Sequence, residues 1–203
     1  MTEETIDITI TSLEMLSHPV RGPARAPSLS APVMLLRANQ PTISFYRYLY
    51  NTIGQDWLWY ERRQMSDKTL SEIIHDKKVF VNVLYFGGVP AGYAELDTRF
   101  FPIIEVAYLG LLPEFIGRGL GRYIVDWAVD AAWSLNPTRV WIHTCTLDHP
   151  AALRTYQKAG FAPFQQEKVT IPNPRLLPAF SIPELVASGT PGESKADPGP
   201  DQE

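Results

Sequence analysis

A chain of 203 residues, 45% hydrophobic and 11% aromatic, can bury a full core as one domain and does not require a second. Its formal charge of −4 argues against nucleic acid as the main partner, because phosphate binding generally shows as a basic surface. A single cysteine, Cys145, excludes an internal disulfide and a multi-thiolate zinc site, so the composition points to a reducing, cytoplasmic setting.

Along the chain, the acidic start from Met1 to Ile10 lacks the basic and apolar character of a signal peptide, and no later stretch is long enough to span a bilayer. Ile6, Ile8 and Ile10 alternate with polar residues in strand fashion, and residues 19–32, rich in proline, alanine, arginine and serine, predict an irregular loop. Neither segment suggests chemistry. Ala31 to Arg37 predicts a second strand, Pro41 to Tyr50 a helix closed by Gly54, and Lys68 to His75 a short helix. Val79–Phe86 and Pro90–Arg99 read as strands joined by a Gly87-Gly88 hairpin turn, and Phe101–Leu111 as a third, mostly apolar strand.

Gly119 to Leu135 is the clearest helix. Leu120, Ile124, Trp127 or Ala128, Ala131 and Leu135 form its apolar stripe, with Arg122, Asp126 and Asp130 on the opposite face. Asn136-Pro137 ends it. Arg139–Thr146 reads as a strand, Pro150–Lys158 as a helix stopped by Gly160, and Phe161–Ile171 as a further strand. The order from Val79 onward is βββαβαβ. Residues 1–186 are expected to form the single domain, and 187–203, reduced to glycine, serine, proline and charge, a disordered tail.

Chemistry enters at Ile116-Gly117-Arg118-Gly119-Leu120-Gly121. Glycines at 117, 119 and 121 between a strand and an amphipathic helix bring unobstructed backbone N–H groups to a helix N-terminus, which is an anion site. A P-loop needs Gly-Lys-Ser/Thr after its first glycine, and the dinucleotide fingerprint needs a glycine where Arg122 stands, so both spacings fail. Arg118 and Arg122 add charge suited to a polyanion. By itself the run fits a packing loop equally well. Gly110, inside an apolar strand, marks a bulge or a close approach, and a bulge there would splay the strand and expose backbone to an extended ligand shaped like coenzyme A. Six strand steps from Leu111 back to Glu105 cover roughly 20 Å, which makes Glu105 a candidate base at the far end of such a ligand.

From about Val79 to Phe164 the chain resembles the GNAT superfamily of N-acetyltransferases. The family's donor motif, Gln/Arg-x-x-Gly-x-Gly/Ala, matches Ile116 to Gly121, and its Asn-x-x-Ala segment leading to Tyr and Gly-Phe resembles His149 to Phe161. Ile116 and His149 depart from the pattern. The resemblance implies an α/β (α+β) fold with a mixed, mostly antiparallel central sheet, helices on both faces and strands splayed at the donor site. It further implies acetyl-CoA as co-substrate, bound by Leu109, Gly110, Leu111, Ile116, Gly117, Arg118, Gly119, Leu120, Gly121 and Arg122. Glu105 lies at the offset of the family's glutamate base and Tyr156 at that of its general acid. Prolines at 172, 174, 178 and 183 interrupt the segment where the family's last edge strand is expected.

Acetyl transfer to an amine needs a neutral amine, polarisation of the thioester carbonyl and a proton for the leaving thiolate. The expected agents are Glu105, with its pKa raised by its neighbours Ile104 and Val106, then backbone N–H groups near Leu109 to Leu111, then Tyr156. Trp57 and Tyr60, in the aromatic cluster with Trp59, are expected at the acceptor, a small-molecule or peptide amine; for any one of them, packing of a loop is the competing reading. Asp56, Glu61, Glu95 and Asp97 read as solvated surface, with attraction of a cationic amine as the alternative. His143 and Cys145 share a strand face, read here as coincidence, and the histidines give no metal site. Neither nucleic acid nor membrane is an expected partner, and exposed edge strands leave a homodimer open. A non-catalytic acyl-CoA-binding regulatory module fits the same motifs.

Overall fold

The computed structural model describes residues 4–180; the expected tail at 187–203, and the last residues of the expected domain, lie outside them. Seven strands, β1 (Thr5–Met15), β2 (Val33–Arg37), β3 (Val79–Phe86), β4 (Val89–Asp97), β5 (Ile103–Leu111), β6 (Arg139–Cys145) and β7 (Ala162–Pro172), form one sheet in the order β2-β3-β4-β5-β6-β1-β7. Every pairing is antiparallel except β5 with β6. The mixed, mostly antiparallel sheet agrees with the expected class.

Helices α1 (Ile43–Gly54), α2 (Glu61–Gln64) and α3 (Asp67–Ile74) cover one face. Thr42 caps α1 by accepting the Phe45 N–H at 3.3 Å, and Tyr46, Leu49, Tyr50 and Ile53 recur at helical spacing to bury one side of it against Val81, Val83 and Tyr93. Helices α4 (Leu120–Trp133) and α5 (Ala152–Ala159) cover the other. There Leu120, Ile124, Val125, Ala128, Val129 and Ala132 pack on Leu96, Ile104, Val106, Val140 and Ile142. The expected stripe is thus rotated slightly: Leu135 lies beyond the helix and is exposed.

The segment 19–32 carries no helix or strand, but it is anchored. Arg21 donates to the Asp126 carbonyl at 2.9 Å and pairs with Asp130 at 2.8 Å, and Ala24 N–H donates to Asp130 at 2.7 Å, so the loop lies over the polar face of α4.

The termini hold the main departure. β1 is eleven residues long and occupies the position between β6 and β7, with Ser12 opposite His143 on one side and Gln165 on the other. Among the described residues, the proline-rich segment after β7 forms the 3₁₀ turns Pro174–Leu176 and Pro178–Phe180. β7, which runs as far as Pro172, is the edge strand, and the N-terminal strand β1 pairs on both of its edges between β7 and β6. Among the described residues no helix is long and apolar enough to cross a membrane.

Candidate active site

The parallel pairing of β5 and β6 runs through Ile103↔Arg139, Ile104↔Val140 and Glu105↔Trp141, and ends there. Beyond that point the strands part. The gap is a cleft of roughly 520 Å³, within the range of small-molecule sites, with Leu109 to Leu111 on one wall, His143 and Cys145 on the other, and Ile8 and Ile10 of β1 contributing apolar surface. The bulge that shapes β5 is at Ala107, not Gly110: Glu95 pairs with Tyr108 and Leu96 with Val106, leaving Ala107 unmatched. One extra residue reverses the alternation. Tyr108 consequently packs among the α1-side aromatics, while Leu109 and Leu111 join the core on the α4 side. Gly110 is a close approach instead: a Cβ there would lie 2.4 Å from Ile53 Cγ2 of α1.

At one end of the cleft stands the glycine turn. Gly117 and Gly119 have φ of 81° and 78°, a left-handed conformation that L side chains resist, and the 14-residue helix α4 starts directly after Gly119. Ile116, Gly117, Gly119, Gly121 and Arg122 line the cleft with Leu109, Gly110 and Leu111. Arg118 and Leu120 do not. The Arg118 guanidinium lies 5.3 Å from the Phe115 ring, and Leu120 is fully buried in the core. Arg122 carries its own counter-ion, Asp126, at 2.6 Å.

Aromatic residues wall the α1–α2 side. Trp57 meets His149 edge-on at 5.0 Å, and Trp59 Nε1 donates to Asp148 at 3.2 Å, tying the loop before α2 to the turn after β6. Tyr60 precedes α2 and lines the cleft, and Glu61 accepts from the Tyr108 hydroxyl at 2.6 Å. His149 accepts the Ala151 N–H at 3.0 Å through Nδ1. Of the four acids read as surface, Glu95 and Asp97 are buried, paired with Arg62 at 2.7 Å and with Arg99 respectively. Their ion pairs were invisible because the partners come from a four-residue helix and from a turn.

Glu105 sits at the vertex where the strands part. Its side chain is 25% exposed and 3.6 Å from His143 Nδ1, and it is not among the residues that line the cleft; His143 is. Ile104 and Val106 bury themselves in the α4-side core, so by alternation they do not surround the carboxylate as expected. The Glu105 carboxylate beside it raises the His143 pKa above the ordinary imidazole value, outweighing partial burial. Burial, followed by Asp148, pushes the Cys145 thiol up, which keeps it protonated and a poor nucleophile. Tyr156 of α5 lines the cleft from the α4 side, and burial raises its phenol well above the ordinary value, so it holds its proton. His143 and Cys145 alternate onto one face of β6, and the neighbouring strand β5 sets Glu105 beside the imidazole.

The sequence of the acetyltransferase (GNAT) family matches residues 45–161, more than half of the chain. The protein belongs to the GNAT family. Solved structures share the fold at low identity. A Drosophila protein superposes with a TM-score of 0.59 at 12% identity, over 84% of this chain and 52% of its own. A GCN5-related N-acetyltransferase from Kribbella flavida gives 0.53 at 17%, over 83% and 60%. The ribosomal-protein-S18-alanine N-acetyltransferase of Escherichia coli gives 0.54 at 13%, over 70% and 94%. This GNAT chain thus spans about half the length of the Drosophila protein. No curated protein sequence matches it significantly.

Proposed function

We propose that this GNAT protein transfers an acetyl group from acetyl-CoA to a primary amine of a small molecule or peptide. The observation that carries the reading is the parting of β5 and β6 after Glu105↔Trp141, which leaves one edge of β5 without a strand partner beside a left-handed glycine turn at the start of α4.

The donor fits the residues present. Backbone N–H groups of the turn at Gly117 to Gly121, together with Arg122, suit its pyrophosphate, because a helix N-terminus and open glycines stabilise negative charge. The free edge of β5 from Leu109 to Leu111 offers backbone groups to the pantetheine arm and to the thioester carbonyl. In this reading Glu105 supplies the basic function through an intermediary, since the cleft lining stops short of it, and Tyr156 donates a proton to the departing thiolate. Trp57 and Tyr60 border the acceptor.

The test is thiol release from acetyl-CoA against a panel of polyamines, aminoglycosides, amino acids and lysine peptides, with donor affinity measured by calorimetry. Tyr156→Phe is expected to leave acetyl-CoA binding unchanged and to lower kcat by about 10²-fold. Tight donor binding with no thiol release for any amine would support the non-catalytic module instead.

A further inference from the structure

His143 stands between Glu105 and the cleft. It lies on β6 two positions past the last parallel pair, its side chain is 42% exposed, and its Nδ1 faces Glu105 Oε1 at 3.6 Å. The imidazole lines the cleft and the carboxylate does not. A carboxylate facing Nδ1 favours the tautomer that carries its proton there and leaves Nε2 basic, so the pair has the arrangement in which an acid orients an imidazole rather than reaching the substrate itself.

We propose that His143 accepts the proton of the attacking amine through Nε2, and that Glu105 is a positioning residue that acts through His143. The proposal deepens the acetyl-transfer reading and rests on it. As the amine nitrogen bonds to the acetyl carbon and the carbon–sulfur bond breaks, the amine proton passes to Nε2, and the leaving sulfur takes a proton from Tyr156. The two protons balance with no further reactant. Trp141, on the same strand face with its ring 5.8 Å away, restrains the imidazole.

The groups facing His143 set its titration. Glu105 comes from β5, Glu61 from α2 with its Tyr108 partner, Cys145 from the same strand and Asp148 from the following turn, while β1 sets the uncharged Ser12 opposite. The carboxylates all favour the imidazolium. A base must be neutral, so kcat/KM rises with pH as His143 deprotonates, through a midpoint above the ordinary value of about 6.5.

Two measurements on the full chain decide the proposal. The first is the His143 imidazole titration by NMR, assigned by its loss in His143→Gln and compared between wild type and Glu105→Gln. The second is thiol release from acetyl-CoA, with the most active amine of the panel, as a function of pH; taking variant-to-wild-type ratios at each pH cancels the amine's own ionisation. Glu105→Gln is expected to move the His143 titration and the rise in kcat/KM together to lower pH, with a smaller loss of turnover than the roughly 10²-fold or greater loss expected of His143→Gln. Both side chains are partly exposed, and thermal midpoints close to wild type separate these effects from misfolding. The proposal is overturned if His143→Gln turns over as wild type does, or if His143 titrates identically in Glu105→Gln. Absence of thiol release from the wild type with every amine would instead bring down the acetyl-transfer reading, and the proposal with it.

Discussion

Arg62 and Glu95 form an ion pair of 2.7 Å with side chains only 7% and 0% exposed, and this pair fastens the short helix α2 to the centre of the sheet. Glu95 also accepts the Tyr46 hydroxyl, and the Arg62 backbone N–H donates to Tyr50 at 3.3 Å, so α1, α2 and β4 meet at one charge pair. A four-residue helix has too few internal bonds to persist alone. Its tether fixes Tyr60 and Glu61 at the cleft.

Arg62→Met leaves the Glu95 carboxylate buried without its counter-ion. The expected loss is about 3–5 kcal/mol of unfolding free energy, measured by urea denaturation. Adding Glu95→Gln, which removes the orphaned charge, is expected to recover a large part of it. Equal stability of the single variant and wild type would show that α2 is held by packing alone.

Gly110→Ala brings a methyl group to 2.4 Å from Ile53 Cγ2. The strand or the Ile53 rotamer must yield, at a cost of about 1–3 kcal/mol. Combined with Ile53→Ala, which vacates that space, the Gly110 substitution should cost less than it does alone. A double-mutant cycle reads this as a coupling energy, and an additive cycle would mean that Ile53 does not set the limit.

Gly119→Ala meets no steric obstacle, since its Cβ would lie 3.6 Å from Pro27, but it must hold φ near 78°. The backbone term is about 1–2 kcal/mol. Relief of that strain would turn the N–H groups of the turn away from the cleft, so acetyl-CoA affinity by calorimetry should fall while a bare loss of stability would leave it unchanged.

Asp97 gives an acid-side prediction. Burial acts to raise its pKa, but hydrogen bonds from Arg99, including the backbone N–H at 2.9 Å, outweigh burial and hold it below the ordinary carboxylate value. A depressed folded pKa contributes stability that is complete above the unfolded value of about 3.9 and disappears as pH falls through the folded one. Asp97→Asn should therefore be less stable than wild type at neutral pH, and the gap should close on acidification. A gap independent of pH would assign the loss to packing.

The sequence by itself determined the features that local conformation controls. Glycines at 117 and 119 with positive φ, the periodic apolar stripe of α4 and the Gly87-Gly88 turn depend on residues close in the chain, and the turn at Gly117 to Gly121 was legible for that reason. The fold class and the family followed from those local units in order. Tertiary structure decided what joins distant segments. Only the sheet order put β1 between β6 and β7, only the two-versus-one pairing located the bulge at Ala107, and only the parallel register set Glu105 beside His143. Strand pairing is a contest among partners far apart in sequence, settled by which edges are free and which faces must be buried, and no single segment carries that information. The glutamate and the imidazole were each visible as residues; that they lie 3.6 Å apart is a property of two strands laid side by side.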